Sequence, residues 1–191
     1  MMTGIWWILV ILGLQRGVEC WIAHRHSIWA QSQGGVEAGR EHYPLLVGVH
    51  LLFFAGLALE AGVYGTVPPF WWPLPLALFL LAQALRIWCL SSLGSYWNTR
   101  IWVIPGHRPV IRGPYRYLRH PNYAVVVTEL LTLPVACGAW ITAAVVSVLN
   151  LWVLLRVRIP AEEAALTAYT DYRKAMPCRR WLPGHKESTE N

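Results

Sequence analysis

The stretch RGPYRYLRHPNY, residues 112–123, sets three arginines, a histidine and two prolines against the start of an apolar run. Pro114 and Pro121 each suit the first position of a helix, where a missing N–H costs nothing. The segment therefore reads as a short helix, a break at His120 and a second helix. His120 precedes a proline and is pushed out of the helical basin toward extended backbone. An imidazole beside the Arg119 guanidinium, next to unpaired N–H groups that open a helix, suits an anionic group such as a carboxylate or phosphate. On charge alone the same residues also read as a basic anchor at a membrane edge.

What lies on either side of this stretch favours a membrane. The chain has 191 residues, of which 55% are hydrophobic and 14% charged, and a soluble domain carries about 25% charged residues. Five apolar stretches are long enough to cross a bilayer, at about 4–21, 44–63, 73–93, 122–138 and 139–157, given a requirement of roughly 17–25 residues. The last two meet at Gly138 and are expected to form a tight hairpin. The fold class is an all-α integral membrane protein of about five spans, organised as one domain over 1–191 without repeats or linkers.

A net charge of +6 raises nucleic acid as a partner, but the basic residues follow topology. Arg25, Arg40, Arg100, Arg108, Arg112, Arg116, Arg119, Arg173, Lys174, Arg179, Arg180 and Lys186 fall between spans one and two, between spans three and four, and in the tail. The segment 64–72 and the turn near Gly138 carry none. The positive-inside rule then puts the N-terminus outside and the tail in the cytoplasm, with Trp6, Trp7, Trp71, Trp72 and Trp140 at the outer interface. No basic stretch precedes Ile5 and no small-residue cleavage pattern follows, so the first span is expected to be retained. Cys20, Cys89, Cys137 and Cys178 are scattered and read as unpaired thiols.

Ionisable groups within spans mark functional candidates by default. Arg16, Glu19 and Arg86 lie toward the cytoplasmic ends, where snorkelling explains them, and Glu60 lies near the outer end. His50 and Glu129 sit a turn or two inside the boundary, where a cavity can meet them. A buried structural role is an equal reading for both. The segment 159–176, IPAEEAALTAYTDYRKAM, reads as a cytoplasmic helix opened by Pro160, with basic residues in its last turn. Acids in a first turn often serve the helix dipole, but Glu162 and Glu163 share the side of the membrane that carries Arg119 and His120. Gly34-Gly35 with Gly39 is no dinucleotide fingerprint, His24 and His26 lack partners at metal-ligand spacing, and no serine sits in a nucleophile elbow. No metal site is expected.

The combination GPYRYLRHPNY, a following helical hairpin, and PAEEAAL in an aromatic tail helix resembles the isoprenylcysteine carboxyl methyltransferase family over most of residues 83–183. Over the whole length, including residues 25–62 and 93–113, the chain resembles the bacterial branch associated with type III polyketide synthases. Members of that branch methylate hydroxyls of alkylpyrone and alkylresorcinol phenolic lipids. The resemblance implies an S-adenosylmethionine-dependent O-methyltransferase in the cell membrane, with a cytoplasmic cofactor region over about 94–183. It further implies a lipophilic acceptor drawn from the membrane, contact with membrane lipid, a functional link to a type III polyketide synthase and no nucleic acid. Arg119, His120, Pro121 and Tyr123 match the family's signature, and Glu162 and Glu163 match its acidic pair.

The residues suit that cofactor, since Arg119, His120 and the helix start can meet its carboxylate while Glu162 or Glu163 meets its cationic groups. Trp97, Trp102 or Tyr123 can stack on adenine or lie by the sulfonium, a cation–π contact worth about 1 kcal/mol. A phenol titrates near about 10 and needs a base, whereas a carboxylate, near about 4, is already ionised. His120, His50 and Glu129 are the candidates for that base, and Arg119 completes the catalytic set. The alternatives are carboxyl methylation of isoprenylcysteine-like or other amphiphiles, a NADPH-dependent sterol-type reductase, whose C-termini carry related R-H-P-N-Y patterns, and a non-enzymatic membrane scaffold.

Overall fold

A computed structural model describes residues 2–172. Helix α1 (Met2–Ser32) is followed by a short strand β1 (Val36–Ala38), helix α2 (Tyr43–Leu57), which continues through a π-helical turn (Ala58–Val63), and helix α3 (Pro73–Leu93). Strand β2 (Ile101–Val103) precedes helix α4 (Pro121–Ala136) and helix α5 (Trp140–Val153). A second π-helical turn (Leu154–Arg158) then carries α5 into helix α6 (Ile159–Tyr169). Expected element 159–176 extends past the described residues, and its Arg173 and Lys174 lie outside them.

Among the described residues, four helical runs are long and apolar enough to cross a membrane: Gly4–Ser32, Arg40–Val63, Pro73–Tyr96 and Trp140–Tyr169. Their outward faces carry exposed apolar side chains, among them Val10, Ile11, Leu14 and Val18 of α1 and Leu74, Leu78, Leu81 and Ile87 of α3. In water such a surface would be a large aggregation-prone patch, and in lipid it is matched. The segment expected as the fourth span is a helix of 16 residues with Pro134 inside it, or about 24 Å at 1.5 Å per residue. It falls short of the expected length because its flanks are Pro121 and the turn at Gly138. Val125, Leu130 and Leu133 are buried, as befits a helix packed between α3 and α5.

Two boundaries differ from the sequence reading. Helix α1 does not stop near residue 21 but runs to Ser32, because nothing between Trp21 and Gly34-Gly35 breaks a helix. Tail helix α6 is the continuation of α5 rather than a separate element: the π-helical turn Leu154–Arg158, with the Ile159 N–H on the Leu154 carbonyl, carries the run past Pro160. The small sheet was not read from sequence at all. Strands β1 and β2 pair antiparallel, Val36 opposite Val103 and Ala38 opposite Ile101, and Ile101 and Val103 pack with Ala165 beneath α6.

Helices α4 and α5 fold back on each other at Gly138, whose φ of 73° is open to glycine. A Cβ there would also lie 2.4 Å from the Val67 carbonyl oxygen. Thr66 Oγ1 donates to the Cys137 carbonyl at 2.7 Å, and the Trp71 and Trp140 rings lie 5.9 Å apart. One end of the bundle is thus closed by tight turns and tryptophans. The sheet, the 112–123 stretch and α6 gather at the other.

Candidate active site

The 112–123 stretch is fixed before it reaches the site. Arg112 Nε donates to the Ser92 carbonyl at 2.6 Å, and Pro114 opens a single 3-10 turn, Gly113–Arg116. Tyr115 turns inward, and burial, the largest cause, holds its phenol well above the ordinary value. His120 takes φ −128° and ψ 56°, outside the helical basin, and Pro121 starts α4. The His120 carbonyl accepts the Tyr123 and Ala124 N–H groups, so α4 grows directly from the residue that carries the imidazole.

Helix α6 brings both glutamates onto this turn. His120 Nε2 lies 3.2 Å from Glu163 Oε1 and His120 Nδ1 lies 3.9 Å from Glu162 Oε1. Arg119 Nη1 is 3.6 Å from Glu163 Oε1. Tyr123 stacks on the His120 ring at 5.4 Å between centroids and donates its phenolic hydrogen to Glu162 Oε2. Arg119, His120, Tyr123, Glu162 and Glu163 are therefore one cluster built from residues about forty positions apart in sequence.

A cavity of about 370 Å³ opens beside the cluster, within the size range of small-molecule sites. Arg119, His120, Tyr123 and Glu162 stand on its wall together with Trp97 and Trp102. Trp97 is buried, and its indole nitrogen has no hydrogen-bond partner among the described residues. Glu163 is not on the wall and reaches the cavity through its contacts to Arg119 and His120. The same cavity is lined by the apolar side chains Leu46, Val47, Leu51 and Phe54 of α2 and by His50, Arg16, Glu19 and Arg86. His50 Nδ1 bonds to the Leu46 carbonyl at 2.8 Å. A carbonyl only accepts, so Nδ1 carries the hydrogen and Nε2 is the acceptor of the neutral ring.

Three groups of ionisable residues within the spans have partners that the sequence did not show. Glu129 is not on the cavity wall. Its carboxylate accepts from Arg86 Nε at 2.8 Å and from Arg86 Nη2, from Arg16 Nη2 at 2.7 Å and from Gln83 Nε2 at 2.8 Å. An ion held by two guanidiniums behind the wall has the surroundings of the buried structural role, the reading that the sequence left open beside the catalytic one. Arg16, Glu19 and Arg86 do not snorkel. Arg16 Nη1 and Arg86 Nη1 meet Glu19 Oε2 at 2.6 and 3.2 Å, and the side chains of Arg86, Glu19 and Glu129 are 4, 8 and 3% exposed. Glu60, near the outer end, accepts the N–H groups of Ile141 and Thr142 and so caps α5 from a neighbouring helix.

Arg158 was missed. Its Nε donates to Tyr123 Oη at 3.2 Å, its Nη2 donates to the Thr99 carbonyl at 2.7 Å, and its Nη1 is buried without a partner among the described residues. The available signal was its spacing, four residues before Glu162 on one helical run, which puts the two side chains on one face. It was hidden by standing one residue past an expected span.

Residues 75–168 match the isoprenylcysteine carboxyl methyltransferase (ICMT) family, a segment that contains most of α3, all of α4, the 112–123 stretch, Arg158 and both glutamates. The chain is also 42% identical over 165 residues to the uncharacterized protein YpbQ of Bacillus subtilis, covering 86% of this chain and 98% of that one. It is 29% identical over 147 residues to an uncharacterized protein of Haemophilus influenzae, covering 76% of this chain and 85% of the other. With the family's segment forming the whole of the cluster and four membrane-length helices among the described residues, the chain belongs to the isoprenylcysteine carboxyl methyltransferase family of integral membrane proteins.

Proposed function

We propose that this protein is an S-adenosylmethionine-dependent O-methyltransferase that acts on the hydroxyl of a phenolic lipid of the alkylpyrone or alkylresorcinol type. The observation that carries the reading is the continuity of one cavity from the cluster of Arg119, His120, Tyr123, Arg158 and Glu162 to the apolar side chains of α2. A charged cofactor and a lipid tail each find matching side chains on its wall. S-adenosylmethionine, when bound, supplies a methyl group on a cationic sulfur together with a carboxylate and an ammonium group. The donor set suits it, since Arg119 and the unpartnered N–H of Arg158 meet the carboxylate and Glu162 meets the cationic side. Trp97, Trp102 and Tyr123 offer aromatic faces nearby.

The chain's part in the reaction is alignment and proton removal. Transfer is one displacement, in which the acceptor oxygen bonds to the methyl carbon as the carbon–sulfur pair returns to sulfur, so alignment supplies much of the rate. A phenol must also give up its proton. Both ring nitrogens of His120 face glutamate oxygens, which leaves His50 Nε2, on the cavity wall, as the better acceptor of that proton. The reacting end is assigned to the cytoplasm and the N-terminus to the outside, from the distribution of Arg and Lys. A type III polyketide synthase is the proposed source of the acceptor.

Carboxyl methylation, the activity in the family's name, is the second reading, and a NADPH-dependent reductase is the third. Cofactor binding separates the third from the first two. Purified protein in detergent should bind S-adenosylmethionine in a manner displaced by S-adenosylhomocysteine and indifferent to NADPH. Binding of NADPH alone would overturn the methyltransferase reading.

A further inference from the structure

One stretch of the cavity wall carries two guanidiniums, yet its charge is cancelled by one carboxylate on the wall and one behind it. Arg16 and Arg86 are matched by Glu19 and Glu129, and Arg86 spends its planar Nε and Nη2 fork on the Glu129 carboxylate. The remaining terminal nitrogens are also committed, Arg16 Nη1 and Arg86 Nη1 to Glu19 and Arg16 Nη2 to Glu129. An acceptor carboxylate arriving here meets no unspent guanidinium fork and two carboxylates of its own sign. A hydroxyl needs neither, and it finds the His50 ring beside Arg16 on the same wall.

We propose that Glu129 determines the acceptor class: by occupying the Arg86 fork it excludes carboxylate head groups and leaves the site to uncharged hydroxyls. This rests on the reading of the protein as a methyltransferase of membrane amphiphiles. Glu129 does not touch the acceptor. It acts through Arg86, and Gln83 Nε2 at 2.8 Å holds it in place. A free Arg86 fork is the bidentate partner that a carboxylate prefers, so removing the Glu129 charge converts an excluding wall into a binding one.

The test uses the full-length protein in detergent with two probes of equal chain length, a long-chain alkylphenol as acceptor and the corresponding alkylbenzoic acid. For wild type the acid should be a poor competitor and a poor acceptor. In Glu129→Gln its inhibition constant, taken relative to the phenol KM, should fall tenfold or more. That ratio does not depend on how much of the variant is folded. An unchanged ratio in a variant that still methylates the phenol overturns the inference and leaves the methyltransferase reading intact. If wild type methylates neither probe nor any other acceptor, the methyltransferase reading fails and this inference with it. Should Glu129→Gln yield no folded protein, Arg16→Gln carries the test with the sign reversed: the wall becomes net negative and the acid competes still less well, and equal or stronger competition by the acid refutes the proposal.

Discussion

Glu162 and Glu163 are adjacent acids of one charge, but the structure gives them different surroundings, and the pair Glu162→Gln and Glu163→Gln separates the duties proposed for them. Glu162 stands on the cavity wall with its side chain 29% exposed, whereas Glu163 is 13% exposed and faces Arg119 and His120. Replacing Glu162 by glutamine keeps an oxygen that accepts the Tyr123 hydroxyl, so the fold should survive, while the negative charge opposite a cationic ligand is lost. One charge-assisted contact is worth about 1.5–3 kcal/mol. At 1.4 kcal/mol per tenfold, the dissociation constant for S-adenosylmethionine should rise roughly ten- to a hundred-fold. Glu163→Gln instead loosens His120 and Arg119, so its main effect should fall on turnover with a smaller change in cofactor affinity. Isothermal titration of each purified variant, paired with initial rates at saturating cofactor, reads both numbers. Unchanged cofactor affinity in a folded Glu162→Gln variant would refute the assignment of Glu162 to the cationic side of the ligand.

Arg158→Leu removes the hydrogen bonds to Tyr123 and the Thr99 carbonyl, and cofactor affinity measured by the same titration should drop at least tenfold. Arg86→Leu breaks a buried pair with Glu129, a change that costs about 3–5 kcal/mol, and should appear as a large fall in thermal stability in detergent. Cysteine-accessibility labelling of intact cells should find Gly34→Cys and Gly106→Cys shielded inside and Thr66→Cys labelled from outside, and the reverse pattern would invert the proposed orientation. With saturating cofactor, turnover of a phenol should climb as pH rises from about 5.5 to about 8.5, because the proton acceptor must itself be unprotonated, whereas a carboxylate acceptor should give a flat profile.

Sequence was a good guide wherever one residue type constrains the backbone by itself. Pro73 and Pro121 stand at the starts of α3 and α4, and Gly138 turns α4 into α5. These are local effects that need no partner. The charged cluster was legible for a different reason: Arg119, His120 and the glutamate pair carry charge too costly to leave without a use at a membrane edge, and only one face of the bundle could hold them all. What could not be read was pairing. Glu129 and Arg86 are 43 residues apart, and Arg16 and Glu129 are 113 apart. A lone arginine near a span end looks the same whether it snorkels or is buried against an acid, since the difference lies in which helix stands opposite. The three-residue strands β1 and β2 escaped for the same reason, as segments that short acquire their conformation from each other.

The central claim is that the cavity joining His120 and Glu162 to the apolar face of α2 moves a methyl group onto a lipid oxygen. It is tested most directly by giving membranes that contain the protein S-adenosylmethionine with a deuterated methyl group, in parallel with an alkylresorcinol, an alkylpyrone and a prenylcysteine, and extracting each lipid for mass spectrometry. The account predicts the deuterated methyl on a hydroxyl oxygen of the alkylresorcinol or alkylpyrone, and little on the prenylcysteine. Label on the prenylcysteine carboxylate alone would contradict the acceptor assignment, and absence of label from every lipid, with NADPH-dependent loss of a double bond instead, would contradict the reaction itself.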